Sequence, residues 1–284
     1  MKVIIGDNPF FGVNHKLGSK LLDDEDFRFK QALDVLVEAN RFDCNSLMIT
    51  NHPSISKFLD LMDSNDLVNL ELAFVAPYPH KYNDLVAKKG YWGLAKYLLK
   101  GNLKYILLNA FKIFNVNKSQ EHIVRLICNS ELQSLGKHRE KVRYVCLHNI
   151  LVDMYVAAGN YSALEAFIEH VKSMGLEPVL ITQNLITLNK VMRSSEGYTI
   201  CFSYNSAGYM VNPSVELVDQ FLEHNTDSLP DLWAMQIMAS GVVELDDALE
   251  KIAVNNHFKG VLYATTKRER IIELFAKTEK FKKK

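Results

Sequence analysis

The chain has 284 residues, with 33 basic and 33 acidic side chains and 48% hydrophobic residues. This is a globular composition with no net charge to draw it to nucleic acid or a membrane, and no run of about 18 apolar residues is present to span a bilayer. The four cysteines (Cys44, Cys128, Cys146, Cys201) are widely spaced with no C-x-x-C pair, and "MKVIIGDNPF" has no secretory pattern, so a reduced cytoplasmic protein is expected.

Short apolar runs alternate with amphipathic segments. The strands are expected at Lys2–Gly6, Phe42–Ile49, Leu70–Ala76, Val142–Leu147, Pro178–Thr182, Thr199–Tyr204, Leu232–Met238 and Gly260–Ala264. Helical patterns lie between them. "DEDFRFKQALDVLVEA" follows the first strand and "SISKFLDLM" the second. "SALEAFIEHVKSMG" follows the fourth and stops at Gly175. "SVELVDQFLEH", "LDDALEKIAVNN" and "KRERIIELFAKTEKF" follow the last three strands. Strict alternation implies a parallel sheet. Eight strands predict an α/β fold, a (β/α)8 TIM barrel, in one domain over residues 1–284. A doubly wound sheet is the alternative, but no G-x-G-x-x-G follows any strand.

One stretch breaks the rhythm. About 65 residues separate the third strand from the fourth, which predicts a helical insertion over 82–138 that could cap the barrel. From Lys81 to Lys118 it carries eight lysines and one acid, Asp84. Three readings stay open. The lysines snorkel from a helix packed on the barrel, or they attract an anionic substrate from a cap, or residues 88–114 lie on a membrane surface.

Barrel sites lie where the strands deliver their C-terminal ends. That selects Asp7, Asn8 and His15 after the first strand, and Asp43, Asn45 and His52 around the second. It selects Tyr78 and His80 after the third, His148 after the fourth, Gln183 after the fifth, Asn205 after the sixth and Gln236 near the end of the seventh. His148 has the chemistry of a general acid or base near neutrality, with Asp43 or Asp7 as its partner. If the second strand runs through "DCNSLMI", Asp43 stands at its start and the site receives Asn51 and His52 instead. The amides and the other histidines are candidate holders of substrate oxygens. No H-x-H, H-E-x-x-H or G-x-S-x-G occurs, so neither a bound metal nor an activated serine is expected. After the eighth strand, "ATTKRERI" combines capping-box spacing (Thr266, Glu269) with basic residues at a helix N-terminus. Thr265, Thr266, Lys267 and Arg270 are therefore candidates for binding phosphate.

The order "RFDCN", "VCLHN", "CFSYN" and "YATTKRERI" resembles the aldo-keto reductases. The resemblance implies that Asp43 and His148 flank a substrate carbonyl, and that Thr265 and Arg270 hold the nucleotide phosphate of NADP. It also implies a catalytic tyrosine about five residues after the aspartate and a lysine ending the third strand. Met48 and Ala76–Pro77 stand there instead, with Tyr78 close by in sequence. Without that phenol and lysine, the expectation is redox-neutral acid–base chemistry (lyase, isomerase or hydrolase) on a small anionic or sugar-like substrate. The alternatives are an NADP-dependent reductase with a rearranged proton donor, and a non-catalytic membrane-associated or scaffold barrel.

Overall fold

The computed structural model describes residues 1–12, 24–67, 69–99, 102–103, 105–108, 119–192, 196–225 and 229–282. Eight parallel strands close into a barrel in sequence order. They are β1 (Lys2–Gly6), β2 (Ser46–Thr50), β3 (Glu71–Ala76), β4 (Val142–Leu147), β5 (Glu177–Thr182), β6 (Thr199–Ser203), β7 (Asp231–Met235) and β8 (Phe258–Tyr263). The expected (β/α)8 barrel is therefore the fold. β1 pairs with both β2 and β8, which closes the ring.

The described helices are α1 (Glu25–Asn40), α2 (Ile55–Asp63), α3 (Pro79–Leu99), α4 (Ser119–Ser134), α5 (Asn149–Ala157), α6 (Tyr161–Ser173), α7 (Leu185–Val191), α8 (Val215–His224), α9 (Leu245–Ala253) and α10 (Arg268–Lys282). The Asp24 carboxylate caps α1 by accepting from the backbone N–H groups of Asp26 and Phe27. Gly175 ends α6 as expected, with φ +73 just past its last turn.

Two apolar layers follow from the two faces of each strand. Ile4, Met48, Val75, Cys146, Val179, Ile181, Cys201 and Trp233 fill the barrel. The opposite faces pack against the helices, where Phe10, Phe29, Phe58, Phe74, Phe167 and Phe202 are fully buried. Strands buried on both faces read as near-continuous apolar runs, which is why they were legible. At the N-terminal end of the barrel, Lys2 donates to Glu71 at 2.8 Å and to the Tyr144 hydroxyl at 3.4 Å.

The second strand begins later than its apolar run suggests. Phe42, Asp43 and Cys44 belong to the exit turn of α1, in which Asp43 N–H donates to Asn40 O and Cys44 N–H to Ala39 O. Asp43 takes φ +56 there and is exposed. The long β3–β4 connection holds two helices of different kinds. α4 buries Val124, Cys128 and Leu132 in the outer layer, whereas α3 has no buried residue along its 21 positions.

Gly260 illustrates how tightly the interior is filled. A Cβ there would lie 2.6 Å from Cδ1 of Trp233, which is 3% exposed. Gly260→Ala is expected to lower stability by about 1–3 kcal/mol through overpacking. Chemical denaturation reads this as a fall in midpoint, and an unchanged midpoint would contradict the packing described.

Candidate active site

The polar ends of the strands converge on the C-terminal mouth. β1 hands over Asp7, whose side chain is buried. Its Oδ2 accepts from both the backbone N–H of Thr50 (2.7 Å) and the Thr50 hydroxyl (2.6 Å). Thr50 is the last residue of β2, so a carboxylate from β1 sits at the head of β2. Burial pushes the Asp7 carboxyl up to about 6, and the two Thr50 bonds hold it down against that.

Four rings line the same side. Phe11 stacks on His52 at 4.6 Å, His52 lies 5.7 Å from Tyr78, and Tyr78 lies 5.4 Å from His80. Phe11 also packs on Phe29 and Phe58, so "PFFG" anchors the β1 exit in the outer core while reaching the mouth. β3 and β4 stay paired past their ends, because the His148 N–H donates to Ala76 O at 2.9 Å. This brings the "APYPH" turn beside His148.

His148 caps α5. Its Nδ1 accepts from Ile150 N–H at 3.2 Å, so the ring proton is assigned to Nε2, which is left as a donor. Burial and the neighbouring His80 lower its pKa, so the ring is neutral at pH 7. His52 has the same arrangement, with Nδ1 accepting from Ser54 N–H, and burial lowers its pKa too. The Tyr78 hydroxyl is raised above the usual range by burial and by the carboxylates of Asp7 and Asp84.

Other expected residues fall in different places. Asp43 and Asn45 precede β2 at the N-terminal end of the barrel, where Asn45 O accepts from Glu71 N–H. Neither reaches the mouth, which corrects their expected roles; the physical reason is the α1 exit turn that uses up "RFDC". His15 lies outside the described residues. Asn8 is exposed beside Asp7. Asn51 is buried and donates to Glu131 and Ser134 of α4. Asn205 is 1% exposed and wholly engaged: its Nδ2 donates to Tyr209 O and Gln236 O, and its Oδ1 accepts from Tyr209 N–H. It shapes the β6 exit rather than offering itself to a substrate. Gln236, at φ +55, accepts from the Ser203 hydroxyl and donates to Met210 sulfur. Gln183 is half-buried at the head of β5, its backbone N–H held by Asp153. Ser203 and Met210 carried no signal in the sequence, since their place depends on this side-chain contact.

The β8–α10 corner gathers the residues expected to bind phosphate. The Thr265 hydroxyl accepts from Lys267 N–H at 3.1 Å, so a threonine turn replaces the expected Thr266–Glu269 box. Arg268 is committed to the buried carboxylate of Glu38 at 2.6 Å. Arg270 pairs with Glu273 on the surface at 2.8 Å. Such an exposed pair holds weakly and yields to a multivalent anion. Lys267 is exposed and has no ion pair among the described residues. Thr266, Lys267 and Arg270 at a helix N-terminus thus fit a nucleotide phosphate by chemistry. Beside it β1 and the β8 exit pack closely, so that a Cβ on Gly6 would come 3.3 Å from that of Ala264.

The chain matches no protein-family model and no curated protein sequence. Two solved structures share its fold, both from Pseudomonas aeruginosa and both described as a "putative aldo-keto reductase". One is 13% identical with a TM-score of 0.60, covering 98% of this chain and 90% of its own. The other is 12% identical with a TM-score of 0.60, covering 98% and 89%. At such identity the likeness is one of fold, and it bears out the resemblance as an aldo-keto-reductase-like barrel, far diverged. The redox-neutral expectation is overturned on this comparison, because the barrels that match nearly the whole chain carry a reductase name. Met48 is buried inside the barrel, and a phenol, Tyr78, stands beside His52 at the β3 exit.

Asp7 makes stability depend on pH. Because burial pushes its folded carboxyl up to about 6 from the ordinary aspartate value of 3.8, the native state takes up that proton before the unfolded chain does. Its contribution therefore grows as pH falls from about 6 toward 4 and is absent above 6. The gain is up to about 3 kcal/mol. Asp7→Asn is expected to flatten this part of the stability–pH curve in denaturant titrations. A wild-type curve that falls with acidity across the same window, unchanged by the substitution, would refute the assignment.

Proposed function

We propose that the protein is an NADPH-dependent carbonyl reductase built on an aldo-keto-reductase-like barrel, with Tyr78 as its proton donor. The observation that carries this reading is the position of the Tyr78 ring at the mouth, between His52 and His80 and close to Asp7. No phenol from β2 is needed.

NADPH, when bound, would supply a hydride to the carbonyl carbon. Thr266, Lys267 and Arg270 would hold its phosphates at the start of α10. The chain's own work is at the carbonyl oxygen. The Tyr78 hydroxyl donates its proton there as negative charge builds up. The His148 Nε2–H, fixed by the bond to Ile150 N–H, is a second donor to the same oxygen.

The electrostatics set the protonation state in which Tyr78 starts each direction. In the resemblance, a lysine lowers the tyrosine's pKa. Here the neighbours are carboxylates and burial, which keep Tyr78 a phenol through neutral pH. A phenol suffices for reduction, because an alkoxide is about as basic as hydroxide (conjugate acid near ~15.7) and takes the proton readily. The reverse reaction needs the phenolate, which Asp7 and Asp84 oppose. The stacked Phe11, His52 and Tyr78 rings favour an aromatic or conjugated aldehyde or ketone over a sugar.

NADPH titration followed by nicotinamide fluorescence tests the cofactor. Binding tighter than that of NADH, weakened by Lys267→Ala with Arg270→Ala, is expected, and absence of NADPH binding would end the proposal. With a panel of aromatic aldehydes, Tyr78→Phe should cut turnover on the order of 10²–10⁴-fold with NADPH affinity unchanged. Alcohol oxidation should stay negligible at neutral pH and rise only in alkali. Equal rates in both directions at pH 7 would contradict the phenol.

A further inference from the structure

We propose that the face of α3 carrying Tyr91 and Trp92 is a docking surface for an anionic lipid bilayer. The inference is independent of the reductase reading, because none of its residues belongs to the mouth.

Tyr91 is 80% exposed and Trp92 is 78% exposed, beside a kink where Gly90 takes φ +62 and ψ −176. The kink divides α3 and presents both rings to solvent. Leu103, Leu107 and Leu108, just beyond the helix, are exposed as well. Most soluble surfaces scatter large apolar side chains singly; a group of this size on one connection marks a binding surface.

The segment is held firmly from beneath. The Tyr82 hydroxyl donates to the fully buried Glu131 of α4 at 2.6 Å, and Lys81 donates to the Tyr97 hydroxyl at 2.6 Å. Asn102, 1% exposed, donates to the Leu98 and Leu126 carbonyls and the Ser130 hydroxyl. One side is therefore fixed to the barrel layer, and the aromatics stand on the other.

Charge selects the occupant. Between Pro79 and Leu99 there are four lysines (Lys81, Lys88, Lys89, Lys96) and one acid, Asp84, which pairs with Lys88 at 3.0 Å. Lys89 and Lys96 are exposed and without an ion pair among the described residues. Trp and Tyr flanked by lysine match the boundary between headgroups and acyl chains, with the amines on anionic headgroups. A second copy fits poorly, because a two-fold contact would set lysine against lysine. No described helix is long and apolar enough to cross a membrane, so the contact is peripheral.

The chain has two tryptophans, and Trp233 is buried in the barrel, so fluescence changes on binding report Trp92. The intact protein is mixed with phosphatidylcholine vesicles, with or without phosphatidylglycerol, and both emission and flotation are followed. A blue shift and flotation are expected only with phosphatidylglycerol. Lys89→Glu with Lys96→Glu should weaken binding at least about tenfold, and Tyr91→Ser with Trp92→Ser should abolish flotation. Circular dichroism and denaturation midpoints verify that these surface variants fold. No binding to phosphatidylglycerol vesicles would overturn the proposal. So would binding that ignores lipid charge and both double substitutions, or lipid-free self-association that itself shifts Trp92 emission.

Discussion

The mouth of this barrel depends on one carboxylate. Asp7 leaves β1 and accepts both donors of Thr50 at the head of β2. That pair ties the first two strands together beyond their ladder, where the β1–β2 register ends at Gly6 and Met48. It also keeps an acid buried at the point where the Phe11–His52–Tyr78 rings come together. The cost of desolvating the carboxylate shows in its raised pKa. Thr50 supplies two donors to this buried carboxylate, and its charge acts on the Tyr78 hydroxyl.

On the proposed reading, the departures from the aldo-keto reductase pattern form one change: the acid would come from β1 instead of β2, and the phenol from the β3 exit instead of the β2 exit. His148 alone keeps its place, fixed by Ile150 N–H and by the β3–β4 pairing that continues to Ala76. A lysine beside the phenol is replaced by carboxylates, which reverses the direction of the pKa shift. The scaffold is shared with solved barrels over nearly its whole length.

The barrel was legible because each strand is apolar on both faces and each outer helix has its own period. The β1 and β4 bounds were read without error from Lys2–Gly6 and Val142–Leu147. β2 was misread because "FDCN" continues the apolar run, while only tertiary packing shows that Phe42 stacks on Phe275 and that Asp43 turns left-handed. That shift moved Asp43 and Asn45 to the wrong end. α5 and α7 were not anticipated. α5 begins directly after its cap, His148, and α7 has only seven residues, too few for a period to show. Within the long connection, sequence marked the lysines and aromatics but not which of its helices belongs to the barrel. Burial separates α4 from α3. Residues such as Asn205 and Gln236 sit at the expected strand ends, yet their partners across the β6–β7 exits could not be read from one dimension.

Hydride transfer is the claim on which the functional account rests, and isotope transfer tests it most directly. The protein is incubated with an aromatic aldehyde and NADPH carrying deuterium at the transferable position of C4, and the alcohol is analysed by mass spectrometry. The account predicts one deuterium on the carbinol carbon per alcohol formed, with the product nearly lost in Tyr78→Phe. Alcohol formed without the label, or no alcohol from any aldehyde while NADPH remains bound, would contradict it.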